Sequence, residues 1–206
     1  MNVEQILQDF RLGTDLIKKI NGHTVTVFGS ARTSGNDTSY REAKELSHQM
    51  SEAGFNVMTG GGPGIMEAAN RGAFENGKSD SIGIAISLPM EECTNMYQTQ
   101  TEMMEYFFSR KVIMIRYSVA FVVFPGGYGT LDELFEVLTL MQTGKLAKRP
   151  IYLYGKEFFA PLKEYIDNVL LKEGMISEGD ENMVRVVDNP NFVINRSEER
   201  RVGKEC

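Results

Sequence analysis

Residues 122–136 read VVFPGGYGTLDELFE. An apolar strand runs into a proline, three glycines within four residues and a threonine, and then into a helical pattern carrying acidic residues. One tight turn needs one or two glycines. Three together let a ligand approach the main chain, and a helix that starts there aims its first amides and the positive end of its dipole at an anion. Gly126, Gly127, Tyr128, Gly129 and Thr130 therefore read as a phosphate cradle, with the Thr130 hydroxyl as a further donor. A second reading makes Thr130 a helix cap, closing a capping box with Glu133 worth about 1 kcal/mol. That box accounts for two residues and leaves the glycines unexplained.

The same strand–glycine–helix pattern recurs along the chain. TVTVFGS, FNVMTGGG, SIGIAISL, VAFVVFP and PIYLYG read as five strands, and MVRVVD as a short late one. Helical spacing of apolar residues covers 2–20, 38–53, GIMEAANRGAFENG, 102–117, TLDELFEVLTLMQTG and 157–173, and 89–101 read as a loop. Near-continuous apolar strands alternating with helices predict parallel βαβ units covered on both faces, an α/β doubly wound Rossmann-like domain over 1–195. With the five strands in order 3-2-1-4-5, the first and fourth flank the reversal. The turns Gly29-Ser30 and Gly126–Thr130 then face each other across one crevice, where such sheets bind ligands. TGGGPG, with Gly61 and Gly62, either packs a helix closely or lines that crevice.

Composition narrows the function. The chain has 206 residues, a net charge of −6 and 42% apolar residues. A core of that size needs no disulfide or metal, and the acidic balance argues against a nucleic-acid partner. Cys93 and Cys206 form no disulfide framework or zinc pattern, which fits a cytoplasmic protein. No signal peptide and no membrane-spanning run are expected. RSEERRVGKEC, residues 196–206, lacks apolar periodicity and reads as a cloning remnant or a frayed, disordered charged tail.

A dinucleotide is the usual ligand of this fold, but GSARTSG is not G-x-G-x-x-G, the second strand lacks a terminal acid, and GGGPGIME lacks the Walker Gly-Lys. His23 and His48 support neither a triad nor a metal site. Arg110 can hold a phosphate through two parallel bonds, although alone it and Lys111 would read as solvated surface. Glu133, placed beside a proposed anion, would be unfavourable there unless it had a purpose.

GGGPGIMEAA, FFSRKVIM and PGGYGTLDELFE together resemble the LONELY GUY (LOG) family, cytokinin riboside 5'-monophosphate phosphoribohydrolases that are often mislabelled lysine decarboxylases. The likeness runs from about Thr24 to Asp188. It implies hydrolysis of the N-glycosidic bond of a nucleoside 5'-monophosphate, with no cofactor and no metal. It also implies Arg110 and Glu133 as the catalytic pair, the 126–130 loop on the phosphate, Lys111, Glu91 and Thr139 as further contacts, and a homodimer with its site near the subunit interface. Where the plant-like pattern reads GGGxxGLMG, Glu67 follows Met66 here. That variant resembles a bacterial branch, so AMP, a cytokinin nucleotide and another nucleotide all stay open as substrates. A nucleotide or molybdenum-cofactor carrier on the same fold is the alternative. A pyridoxal-phosphate decarboxylase would need a Schiff-base lysine, and Lys111 is the only one near these motifs.

Overall fold

The computed structural model describes residues 2–87, 94–190 and 193–194. Among them, seven strands form one parallel sheet: β1 (His23–Phe28), β2 (Phe55–Thr59), β3 (Ser81–Ile86), β4 (Gln100–Met104), β5 (Ser118–Val123), β6 (Ile151–Tyr154) and β7 (Val184–Val187). Their order is β4-β3-β2-β1-β5-β6-β7. The five strands expected from sequence keep their expected order, and β1 lies directly beside β5 in register Val25↔Ala120 to Phe28↔Val123.

Alternation along β5 explains why the central strands read as unbroken apolar runs. Phe121 and Val123 face one core with Leu134, Val137 and Ile113. Ala120, Val122 and Phe124 face the other with Ala43, Leu46 and Ile65. Each fully buried side chain of this size contributes roughly 1.5–3 kcal/mol. The first core is roofed by α1 (Val3–Lys19), α4 (Phe107–Arg116), α5 (Tyr128–Gln142) and α6 (Lys156–Tyr165), the second by α2 (Thr38–Glu52) and α3 (Ile65–Asn76). None of the helices among the described residues is long and apolar enough to cross a membrane.

The structure corrects three expectations. Residues 102–104, expected in a helix, belong to β4, and so do Gln100 and Thr101, expected in a loop. QTEMM is polar because it is an edge strand, paired on one side only from Ile82↔Gln100 to Ile86↔Met104, so no apolar run marks it. The helix expected over 157–173 is α6 followed by a π-helical turn, Ile166–Leu170, where the Leu171 amide reaches back five residues to the Ile166 carbonyl at 3.0 Å. Finally, α5 begins at Tyr128 with Gly127 as its N-cap. Thr130 is therefore inside the first turn, and the capping box with Glu133 does not form.

Candidate active site

Three glycine-bearing exits meet at Ser30. Its amide donates to the Pro125 carbonyl at 3.1 Å, and its carbonyl accepts from the Ile65 amide at 2.9 Å. The turns after β1, β2 and β5 are thereby joined at the carboxyl edge of the sheet, where the strand order reverses.

A cleft opens over this junction in two lobes. One, of about 690 Å³, is walled by Ser30, Gly127, Tyr128, Gly129, Thr130 and Glu133. The other, of about 700 Å³, is walled by Gly60–Pro63 with Ala85, Met103 and Phe107. Ala31, Arg32, Met66 and Arg110 line both. Helix α5 points its N-terminus into the first lobe. Its amide-to-carbonyl bonding begins with Leu131 to Gly127 at 3.0 Å, and Gly127 brings no capping side chain. The amides ahead of Leu131 are those a helix start leaves free for a ligand. A Cβ on Gly127 or Gly129 would meet no atom within 4 Å, whereas one on Gly126 would strike Thr130 Oγ1 at 2.2 Å.

Arg110 from α4 and Glu133 from α5 close the cleft floor. Arg110 Nη2 donates to Glu133 Oε1 at 2.9 Å, with side chains only 12% and 11% exposed. Neither is a solvated surface residue. Burial pushes the Glu133 carboxyl up to about 7 from an ordinary 4.5, while the Arg110 guanidinium opposes the rise. The guanidinium also lies over the Phe107 ring at 5.5 Å. Its Nη1 would be 3.2 Å from a Cβ at position 60, so Gly60 leaves it room. Arg110 Nε is buried without a hydrogen-bond partner.

Helix α4 is held from beneath by a residue that sequence reasoning missed. Asp9, fully buried in α1, accepts from the Glu105 and Tyr106 amides at 3.1 and 3.0 Å and from the Ser109 hydroxyl at 2.6 Å. Its only sequence signal is an acid in line with Gly13 and Leu16 on the apolar stripe of α1. Asn95 and Gln98 were also missed. Their side-chain amides donate to the Gly61 carbonyl at 3.1 and 3.0 Å and anchor the second glycine loop. That anchoring needs contacts across many residues and leaves no local pattern.

The structure does not bring every expected residue together. Lys111 turns away from the cleft to pair with Asp132 at 2.9 Å and Glu136 at 2.5 Å, tying α4 to α5. Thr139 is on the exposed side of α5, beside a separate cavity with Leu138 and Gln142. Glu91, Cys93 and the 196–206 tail lie outside the described residues. Glu67, the departure from the plant-like pattern, accepts from the Tyr40 hydroxyl at 2.7 Å between α3 and α2, and Met66 instead faces the cleft.

A family model described as possible lysine decarboxylase matches residues 66–196, from α3 past β7. A cytokinin riboside 5'-monophosphate phosphoribohydrolase of Oryza sativa subsp. japonica is 35% identical over 73% of this chain and 62% of its own length. An Arabidopsis thaliana protein of the same name is 33% identical over 70% of this chain and 68% of its own. The chain belongs to the LOG family. It spans slightly less than two thirds of the rice LOG protein. A molybdenum cofactor carrier protein of Chlamydomonas reinhardtii superposes with a TM-score of 0.64 at 23% identity, over 87% of this LOG chain and 98% of the carrier. That likeness establishes a shared fold.

Proposed function

We propose that this chain hydrolyses the N-glycosidic bond of nucleoside 5'-monophosphates, AMP or a cytokinin riboside monophosphate, to free base and ribose 5-phosphate. The observation that carries the reading is Glu133. Its buried carboxyl, gripped by Arg110 at 2.9 Å, shares a wall with the open glycine turn at the start of α5. Phosphate on the Gly127–Thr130 amides would place the sugar beside that carboxyl. Cleavage builds positive charge on the ribose as the bond electrons leave with the base. The Glu133 carboxylate stabilises that charge and takes a proton from the attacking water, whose oxygen ends on the anomeric carbon, and one proton passes to the departing base nitrogen, so that a single water is added across the bond. Phosphate binding, remote from the breaking bond, holds the sugar in position for it. Arg110 orients the carboxylate.

Family membership and the relatives' activity support this reading. None of the described residues lining the cleft is a lysine, so a pyridoxal-phosphate decarboxylase, which the family model's description suggests, has no Schiff-base residue there. The proposal includes a homodimer, supported by the exposed Phe107, Phe108 and Val112 on α4 and checked by mass in solution.

The test is release of free base from AMP and isopentenyladenosine monophosphate by the protein and its Glu133→Gln variant. The variant should keep nucleotide binding and lose about 10²–10⁴-fold in kcat. Wild-type kcat/KM should rise with pH through about 7 as the carboxyl ionises, and the variant should lack that limb. The stability effect has the opposite sign. A raised folded-state pKa means that the fold favours the protonated acid, so its contribution is full below the ordinary 4.5 and is lost as pH rises through about 7. Full activity in the variant, or no base released from any monophosphate, ends the proposal. Saturable binding without product is the carrier result.

A further inference from the structure

We propose that Arg32 is the phosphate clamp of this cleft and the residue that separates a nucleoside 5'-monophosphate from the bare nucleoside. The inference rests on the nucleotide reading above and concerns which cation meets the phosphate. The described residues lining the two lobes include two cations, Arg32 and Arg110.

Arg110 is committed through one of its nitrogens. Its Nη2 is on the Glu133 carboxylate at 2.9 Å, on the buried cleft floor. A phosphate dianion brought to that guanidinium would also meet the Glu133 charge with little water to screen it. The α5 N-terminus supplies only about half a positive charge, against close to two negative charges on a phosphate monoester at neutral pH. A further cation on the cleft lining offsets the remainder.

Arg32 supplies it. The residue follows the Ser30 junction, whose amide is bonded to Pro125 at the entrance to the α5 turn. Its own backbone is fixed, because the Arg32 amide donates to Ser30 Oγ at 3.0 Å. The next turn is fixed as well, the Ser34 amide donating to Asp37 Oδ2 at 2.8 Å. The Arg32 side chain is exposed and makes no ion pair or hydrogen bond among the described residues. An anchored backbone carrying an uncommitted guanidinium at the join of both lobes can swing over a bound phosphate without breaking any contact of the free protein. The planar fork suits two phosphate oxygens at once, which an ammonium matches less well.

The test titrates ribose 5-phosphate and adenosine into the full-length protein, and AMP into its slowly turning Glu133→Gln variant, each with and without Arg32→Met or Arg32→Lys. Arg32→Met should weaken AMP and ribose 5-phosphate about 10- to 100-fold. Adenosine binding and Tm should stay unchanged, and Arg32→Lys should recover part of the loss. AMP affinity within twofold of the parent, or equal losses for AMP and adenosine, overturns the assignment while the nucleotide reading stands. A folded parent that binds none of the three ligands overturns both.

Discussion

The two glycine loops that flank the cleft look alike in sequence and serve different ends. In TGGGPG the glycines are required by the protein itself. Gly61 and Gly64 have φ of +73° and +68°, and a Cβ at Gly64 would stand 2.3 Å from the Ser30 carbonyl oxygen. Gly60 makes room for Met66 and Arg110. In PGGYGT no glycine has positive φ, and Gly127 and Gly129 face open space. Nothing among the described residues demands a glycine at either position. A glycine with no internal reason, at the start of a helix and on a cleft wall, is best explained by something that arrives later. Backbone geometry thus separates glycines that the fold requires from glycines that it leaves open, where composition cannot.

Three substitutions sharpen or break that contrast. The largest effect is expected from Gly64→Ala, where a disfavoured backbone and a main-chain clash together should cost about 3 kcal/mol in a denaturant melt. Near-normal stability would remove the first loop from the scaffold class. Gly129→Ala should do the reverse. Stability should hold or rise by about 0.5–1 kcal/mol, since alanine suits a helix better. Nucleotide affinity, measured by calorimetry, should fall about tenfold because a methyl now faces the phosphate. An unstable Gly129→Ala protein would make the second loop scaffold as well. The smallest effect on the ligand is expected from Lys111→Met, on the helix between the loops. Its partners Asp132 and Glu136 are on α5 and outside the cleft lining. Because the Lys111 side chain is only 15% exposed, the variant should lose about 1–2 kcal/mol of stability and keep kcat/KM within twofold. A large rise in KM would return Lys111 to the ligand.

Much of this was legible because the signals are local. Period-two burial gives β5 its apolar run, and the glycine exits mark where strands end. The Arg110–Glu133 pair came from motif resemblance, because residues 23 apart on two helices leave no periodic trace of their contact. β4 escaped because a polar edge strand is held by main-chain bonds to β3, which any side chains can make. Asp9 escaped because an acid on an amphipathic helix ordinarily faces water, and only the arrival of α4 turns it into a buried cap.

The sequence alone determined the layered α/β class and the place of the glycine turn before α5, set by side-chain periodicity and by where glycine permits a bend, while the strand order it assumed is the one the sheet adopts. Tertiary structure decided which glycines are left open, that Lys111 pairs with α5 carboxylates and Thr139 is exposed, and that Glu133 is buried against Arg110. Those outcomes depend on distances between segments far apart in the chain, and on the desolvation that follows when they close together.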